Sequence, residues 1–538
     1  MSAARFTRIE AVALVLALVL AAACTWPLRH YLTDDTYIHL QYARNLAEGH
    51  GFVFNPGERV YGSTSPLWVL VLAAPIALGA DGLLAARVLG ALATLASLLL
   101  WVALARRTLA RPWLRAASTV GWAAHAWMAR WSLSGMETPL AVALVLAGFV
   151  AFASTTPWGG RPRLASLLWG LAALVRPECV LLVLLFGVAL LVDHGPWRGL
   201  RRALASLWPA VLVQGAWVAF AFAYFGDWAP NTLAAKAAGG VGLAYHLEQL
   251  QRAAAIVAAT DGVAVVVLVV TLALRAARGE RPRLRPALAL LPWGWLVAVP
   301  LLYMVRGVPV LSRYVVPLLP VLAWLAWRSL DRVLALGERG TDAGHPGHAG
   351  PGRTAGERHF AARAFAAGVT LALFIVLQNL VTWQRVVRPQ EDSFTAGLRQ
   401  SLLPWGTWFH DHAPADAVIA APDIGALGYQ SRRRVVDLAG LVTPAMVPVL
   451  ERWPQEEAVA RFEFARFSRP MFLVDRAASA WDLQRRSPYA AALVPLGHAE
   501  VPNLGVARPE PAVYTFYRID WAAYDSLRVR AMATTPAH

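Results

Sequence analysis

Charged side chains are scarce in this sequence. Asp, Glu, Lys and Arg make up 15% of its 538 residues, whereas hydrophobic residues make up 57% and the mean hydropathy is +0.48. Soluble domains ordinarily carry about a quarter of their residues as charged side chains. The deficit excludes an ordinary soluble protein and predicts a polytopic α-helical membrane protein.

Cysteine and lysine are nearly absent. The two cysteines, Cys24 and Cys179, lie in apolar stretches far apart in the sequence, so neither a disulfide framework nor a cysteine-based metal site is expected. Lys236 is the only lysine among 49 basic residues. The net charge of +16 comes from arginines clustered between apolar runs. That pattern is typical of cytoplasmic loops, and it does not indicate a nucleic-acid partner.

Apolar runs that approach membrane-crossing length recur along the first 382 residues. A helix needs about 20 mainly apolar residues to cross the hydrocarbon layer, and roughly eleven runs fit this reading. Arginine-rich turns between the runs alternate with less basic ones, which places the N-terminus inside and the C-terminal region outside. The runs are 9–27, 83–105, 116–130, 138–154, 163–175, 178–193, 204–225, 253–274, 286–303, 314–328 and 360–382.

The composition changes after the tenth apolar run. Residues 337–359 are rich in Gly and His, which is typical of a flexible linker, here a cytoplasmic one. After Trp383 the apolar runs shorten to strand length and alternate with helix-like stretches. We therefore expect a transmembrane module over residues 1–382, with its first outer loop at 28–65, and an extracytoplasmic α/β domain over 383–538.

The turns expected on the outer side hold a varied set of polar residues, whereas the inner turns hold mostly arginine. Ionisable side chains at membrane spans are costly to keep and are functional candidates by default. A cleft on the outer face would bring many of them together. The set comprises Asp34, Asp35, His39, Arg44, Glu58, Glu137, Arg176, Glu178, Asn231, Lys236, Arg306 and Arg313.

Two adjacent aspartates follow the first apolar run. Asp34 and Asp35 would point in different directions at a helix start, so one can act as a general base while the other orients a substrate or binds a divalent metal. We favour Asp34 as the base. The Thr33-Asp34-Asp35 triplet also fits the capped start of an amphipathic interfacial helix that ends near Gly49. The two interpretations are compatible, and the sequence leaves metal binding open.

Three basic residues on the outer side are candidates for holding a phosphate. Lys236 offers a compact charge, whereas Arg176 and Arg313 offer planar guanidinium groups that can pair with two oxygens. The two arginines could instead extend to lipid headgroups. Glu137 is ambiguous as well, because an acidic residue at a helix start is stabilised by the helix dipole.

Four motifs occur in order along most of the chain: DDTYIHLQYARNLAEGHGFVFNPGERVYGSTSPLW, SGMETPL, WAPNTLAAK and DIGALGYQSRRRVVDLAGLVTP. Together they resemble the GT-C superfamily of polyprenyl-phosphate-sugar glycosyltransferases, and in particular the mycobacterial terminal β-(1→2)-arabinofuranosyltransferase family. The resemblance implies a catalytic aspartate at Asp34 or Asp35 and a donor carried on a lipid phosphate. It also implies a soluble C-terminal domain near the acceptor.

The resemblance suggests an inverting transfer of a sugar, such as the pentofuranose arabinose, to a glycan or glycoconjugate of the cell envelope. The aspartate would take a proton from the acceptor hydroxyl, and basic residues would stabilise the leaving phosphate. We expect this reaction at the outer face of the bacterial plasma membrane. The expected substrate-binding residues are His39, Arg44, Glu137, Arg176, Asn231, Lys236 and Arg313.

Two other classes of function fit a polytopic chain. A transporter or flippase of lipid-linked sugars would favour charges near the membrane midplane and internal repeats. A membrane-anchored scaffold whose C-terminal domain does the work would not need the outer charges. The polar residues gather on one side and no repeat is evident, which favours the glycosyltransferase.

Overall fold

The structure is a computed structural model of the chain. Lys236, one of the expected phosphate ligands, lies outside the residues that it describes, as does the stretch 343–354 of the predicted linker. The described residues are 6–153, 161–232, 242–280, 287–342, 355–502 and 510–534.

The apolar part of the chain is helical, and each predicted run overlaps one or two helices. The run 116–130 is divided between two helices at His125, whose ring nitrogen accepts the backbone N–H of Met128. The helices are α1 (Arg8–Thr25), α2 (Asp34–Ala47), α3 (Pro66–Ala77), α4 (Gly82–Thr108), α5 (Pro112–Ala123), α6 (Ala126–Ser132), α7 (Thr138–Phe152), α8 (Pro162–Val175), α9 (Val180–His194), α10 (Pro196–Phe225), α11 (Leu243–Ala277), α12 (Leu291–Arg306), α13 (Ser312–Val315), α14 (Leu319–Asp342) and α15 (Ala355–Thr382).

Several of these helices are suited to a bilayer. In the described part of the chain, six helical stretches are long and apolar enough to cross a membrane, and four shorter apolar helices accompany them. Large apolar side chains such as Val12, Val19 and Val211 are more than half exposed. A soluble protein would bury such side chains, whereas lipid accommodates them. The predicted multi-pass membrane fold is confirmed.

The last long apolar helix continues beyond the predicted domain boundary. After α15, a π-helical turn at Trp383–Val387 leads directly into α16 (Arg388–Gln400), and α17 (Leu402–His412) follows. The first strand begins only at Val418. The boundary predicted at residue 383 therefore falls within helical structure.

A five-stranded sheet forms the C-terminal domain, as the short apolar runs predict. Its order is β2-β1-β3-β5-β4; β1 runs parallel to β2 and β3, whereas β5 runs antiparallel to β3 and β4. The elements are β1 (Val418–Ala421), α18 (Gly425–Ser431), β2 (Arg434–Asp437), α19 (Val447–Leu450), α20 (Gln455–Ala460), β3 (Phe472–Ala477), α21 (Asp482–Arg486), β4 (Leu493–Val501), β5 (Ala512–Ile519) and α22 (Trp521–Thr534).

One buried apolar cluster joins the first outer loop to this domain. Leu40 and Phe54 of the loop belong to the same cluster as Leu427, Val435 and Phe516 of the domain, and all five are at most 2% exposed. Burial of such side chains stabilises by about 1.5–3 kcal/mol each. The C-terminal domain is thus packed onto the loop.

Candidate active site

The start of α2 directs the two aspartates to different surroundings. Thr33 caps the helix, because its hydroxyl oxygen accepts the backbone N–H of Thr36 at 3.1 Å. Asp34 and Asp35 are the first two helical residues, where the helix dipole favours negative charge. Since consecutive residues differ by about 100° around a helix, the two carboxylates face different neighbours.

Asp35 lines a cavity of about 350 Å³ between the helices and the C-terminal domain. The side chain of Asp35 is 42% exposed, and its Oδ2 pairs with Nη1 of Arg313 at 2.6 Å. Arg313 is itself 7% exposed, and its Nε has no hydrogen-bond partner among the described residues. The cavity therefore holds an accessible carboxylate beside a buried cation with a donor to spare.

Arg176 occupies the break between α8 and α9, where Pro177 begins a short 3-10 turn. Its Nη1 bonds Glu137 Oε1 and its Nε bonds Glu178 Oε1, both at 2.8 Å. Nη2 donates to the hydroxyl of Tyr303 at 3.3 Å. Arg176 therefore orients the two carboxylates, and because it also lines the cavity, its role as a phosphate ligand stays a prediction.

His39 connects this network to α2. It lies four residues after Asp35, so both side chains share one face of the helix. Its Nε2 is 3.3 Å from Oε2 of Glu137, and its Nδ1 has no partner in the described part of the chain. His39 and Glu137 line the cavity together with Asp35.

Two tyrosines that no sequence pattern indicates also line the cavity. Tyr303 and Tyr314 stack with ring centroids 4.9 Å apart and planes 8° from parallel. The guanidinium of Arg176 lies 4.7 Å from the Tyr314 ring centre. Aromatic residues within apolar runs carry no polar signal, so only their position beside the turn between the apolar runs 286–303 and 314–328 could have indicated them.

Asp34 faces the C-terminal domain and does not line the cavity. Its Oδ2 accepts the N–H of Gly425 at 2.9 Å, and its Oδ1 accepts the N–H of Ala426 at 2.7 Å. Burial of the carboxyl and the negative charge of Asp423 raise its pKa to about 7, although the two amides oppose the shift. A pKa near 7 suits a base, but access to the substrate comes first. Asp35, whose carboxylate lines the cavity, is therefore better placed than Asp34 to act as a base, and which of the two does so stays a prediction.

Arg44 and Asn231 also lie toward the C-terminal domain. Arg44 Nη1 donates to the carbonyl of Tyr429 at 2.9 Å, and its guanidinium lies over the Tyr429 ring. Asn231 Nδ2 donates to the carbonyls of Gly440 and Leu441. Leu441 lines the cavity, so Asn231 supports the cavity wall. Neither residue lines the cavity, in contrast to the substrate contact predicted from the sequence.

The sequence leaves metal binding open. Within the described ranges, no group of three or more His, Cys, Asp or Glu side chains is arranged to hold a metal ion.

Two curated proteins are similar to part of the chain. It is 35% identical over 228 residues to the terminal β-(1→2)-arabinofuranosyltransferase of Mycobacterium tuberculosis, covering 39% of this chain and 36% of that protein. It is 28% identical over 235 residues to the protein of the same name from Corynebacterium glutamicum, covering 39% and 34%. The match thus spans about a third of the length of each relative. Residues 394–520 match a family described as a domain of unknown function, DUF8728.

Two solved structures share the fold. ArnT from Cupriavidus metallidurans, bound to undecaprenyl phosphate, superposes with a TM-score of 0.54 at 15% identity, covering 94% of this chain and 97% of that one. The archaeal oligosaccharyltransferase AglB from Archaeoglobus fulgidus, in complex with an inhibitory peptide and a dolichol-phosphate, gives 0.54 at 12% identity, covering 86% and 69%. The chain has the GT-C type of membrane fold, as its motifs predict.

Proposed function

We propose that the chain is an inverting glycosyltransferase that moves a sugar from a polyprenyl phosphate to a glycan or glycoconjugate. The observation that carries the proposal is the exposed carboxylate of Asp35, which pairs with buried Arg313 in a cavity at the end of the helices. A base beside a cation is what the displacement of a phosphate by a hydroxyl needs. The names of the two relatives support this assignment.

The donor phosphate is assigned to the basic side of the cavity. Arg313 and Arg306 line it, and the sequence adds Lys236. Next to them, Val180 and Leu181 of α9 and Leu302 of α12 provide apolar lining. A polyprenyl phosphate has the matching shape, with an anionic head and an apolar tail. The lipid phosphates bound in the ArnT and AglB structures support this donor class.

The reaction proceeds as a single displacement. The oxygen of the acceptor hydroxyl bonds to the anomeric carbon while Asp35 takes its proton, and the bond from that carbon to the polyprenyl phosphate breaks. The phosphate leaves as an anion, so no general acid is required. As the donor phosphate pairs with Arg313, it competes with Asp35 for the guanidinium, which makes the carboxylate available as a base.

The carboxylates around Arg176 are placed to accept hydrogen bonds from sugar hydroxyls. Glu137 and Glu178 line the cavity and are held by Arg176, and His39 approaches Glu137 from α2. Groups fixed in this way pre-organise a polar site at no cost during the reaction. We assign His39, Glu137 and Glu178 to the sugar, with arabinofuranose as the candidate that the relatives suggest.

The location follows from the topology that the sequence predicts. The cavity and the C-terminal domain, over residues 383–538, would lie outside the bacterial plasma membrane, and the module over 1–382 would lie within it. The acceptor would then be a component of the cell envelope.

The test is transfer by the purified protein from a panel of polyprenyl-phosphate sugars, with products measured by mass spectrometry. We expect transfer from at least one donor, and we expect Asp35→Asn to reduce kcat by about 10²–10⁴-fold because it removes the base. Asp416→Asn, at an exposed position away from the cavity, is the matched control.

Near-normal transfer by Asp35→Asn would exclude Asp35 as the base. If no donor is used but lipid-linked sugar crosses reconstituted vesicles, the chain is a flippase and the proposal is wrong.

A further inference from the structure

The carboxylate of Asp34 contacts the C-terminal domain and takes no part in the reaction proposed above. The backbone N–H groups of Gly425 and Ala426 both donate to it, at the start of α18. These residues are 391 and 392 positions away in the chain. A carboxylate that accepts two backbone amides is fixed in direction as well as in place, because both of its oxygens are used.

Residue 425 has room only for glycine. A Cβ atom added there would lie 1.9 Å from the carbonyl oxygen of Asp34, 2.7 Å from its carbonyl carbon and 2.8 Å from its Cγ. Real Cβ atoms do not approach other heavy atoms this closely, so any other residue must push α18 away from α2. The backbones of α18 and α2 are thus in direct contact. A flexible surface contact would not need glycine at this position.

Residues of the loop that follow α2 in the chain also bind the C-terminal domain. Asn55 Nδ2 donates to the carbonyl of Val435 at 2.9 Å, and Asn55 Oδ1 accepts the N–H of Val435 at 3.0 Å. Glu58 pairs with Arg434. Together with Arg44 on Tyr429, these contacts attach the loop along residues 425–435.

The segment that holds Asp34 is itself anchored to the sheet. Asp423, two residues before Gly425, accepts a hydrogen bond from the hydroxyl of Tyr514 on β5 at 2.7 Å and pairs with Arg476 on β3. The path from β3 and β5 to the Asp34 carboxylate therefore consists of hydrogen bonds and an ion pair, with Tyr514 buried and Asp423 and Arg476 partly buried. Such a path transmits the position of the domain to α2.

We infer that Asp34 is a positioning residue through which the C-terminal domain sets the direction of the Asp35 carboxylate. Since the two aspartates are consecutive in the first turn of α2, fixing one fixes the rotation of the helix start and so the direction of the other. Displacing a reacting group by about 1 Å can cost about 10²-fold in rate. The inference rests on the proposed function for its kinetic consequence but not for the contact itself.

Two variants test the inference in the full-length protein. Gly425→Ala displaces α18 without changing a polar group. Asp34→Ala removes the carboxylate without introducing a steric clash. Gly215→Ala is the matched control, because a Cβ at that position meets no heavy atom within 4 Å. Hydrogen–deuterium exchange is measured over the first turn of α2 and over 423–431, and kcat and KM are measured for the donor that the panel identifies.

We expect both variants to raise exchange in both segments and to lower kcat by about 10–100-fold with little change in KM for the donor. A merely structural role would lower the amount of folded enzyme and leave kcat per folded molecule unchanged. Asp34→Asn, which keeps one acceptor oxygen, should fall between wild type and Asp34→Ala.

Unchanged exchange in Asp34→Ala overturns the inference, and so does increased exchange with a wild-type kcat. If no donor supports transfer by the wild type, the proposed function fails, but exchange in the first turn of α2 still decides whether Asp34 fixes the loop. Should Gly425→Ala not fold, Asp34→Ala and Asp34→Asn give the same comparison.

Discussion

Asp34 and Asp35 are neighbours in sequence and have opposite surroundings. Asp34 is bonded to two amides of the C-terminal domain, whereas Asp35 faces the cavity and Arg313. The pattern Thr-Asp-Asp predicts a functional carboxylate and a helix start, and the structure confirms the helix start. The functional role stays a prediction, and the pattern does not say which aspartate faces which neighbour, because that depends on residues 391 and 392 positions later in the chain.

Arg313 provides the next test at the scale of a single residue. Arg313→Lys keeps a positive charge but loses the planar fork that can present two N–H groups to a phosphate. We expect kcat/KM for the donor to fall by about 10–100-fold, and Arg313→Gln to be worse, because charge stabilisation of the leaving group is also lost. Steady-state kinetics over a range of donor concentrations measures this difference.

Arg518→Gln is the control, since Arg518 is exposed on β5 away from the cavity. Equal activity of wild type and Arg313→Gln would show that Arg313 does not bind the phosphate.

Among the elements, the sequence predicts the long apolar helices well and the joints between them poorly. Composition alone identifies α4 or α11, since lipid requires apolar side chains over a fixed length. The sequence also locates the break between α8 and α9, because Arg176, Pro177 and Glu178 interrupt the apolar run. The sequence does not predict that α15 continues into α16 through the π turn. The polar residues after Trp383 are typical of a loop, and the tertiary contacts that keep them helical cannot be read from the sequence.

The edge of β2 offers a test at the scale of elements. Asn55 bonds Val435 in both directions and is 3% exposed, so Asn55→Ala leaves a buried N–H and C=O of β2 without partners. We expect a loss of about 1–3 kcal/mol in the free energy of unfolding, measured by chemical denaturation in detergent.

The adjacent ion pair gives the comparison. Glu58→Gln keeps the acceptor that Asn55 Nδ2 uses and removes only the partly exposed pairing with Arg434, for which about 0–1 kcal/mol is expected. If Glu58→Gln lowers the free energy of unfolding as much as Asn55→Ala does, the ion pair contributes as much as the hydrogen bonds to Val435, contrary to this prediction.

For the whole molecule, the division into a membrane module and a separate domain is only part of the description. The sequence indicates two compositions, and the structure joins them through one buried cluster that includes Phe54 and Phe516. Local patterns cannot reveal this cluster, because members such as Phe54 and Phe516 lie more than 400 residues apart and each is an ordinary apolar residue. The cavity depends on this contact between the loop and the domain as well, since Leu441 of the domain lines it.

The contact between Asp34 and the C-terminal domain also predicts how the stability of the molecule depends on pH. The folded-state pKa of Asp34 is about 7, above its ordinary value of 3.8, so the folded protein binds more protons than the unfolded one between these values. Stability from this group is therefore complete at low pH and is lost as the pH rises through about 7. The charges that face Asp34 are Asp35 and Asp423. Burial also raises the pKa of Asp437, to about 6, which acts in the same direction.

We expect thermal unfolding of the wild type, followed by tryptophan fluorescence, to give a higher Tm at pH 5.5 than at pH 8. Asp34→Asn cannot ionise, so its Tm should depend less on pH, with Asp437 accounting for part of the remaining slope. An identical pH slope in wild type and Asp34→Asn would contradict the assignment.

The close approach at Gly425 has a consequence for genetics. The atom nearest to an added Cβ is the backbone oxygen of Asp34, which every amino acid at position 34 would carry. No substitution at position 34 can therefore restore a Gly425 mutant, even though the two residues are in direct contact. Second-site suppressors should instead arise where a backbone can shift, in the segments that lead into α2 or α18.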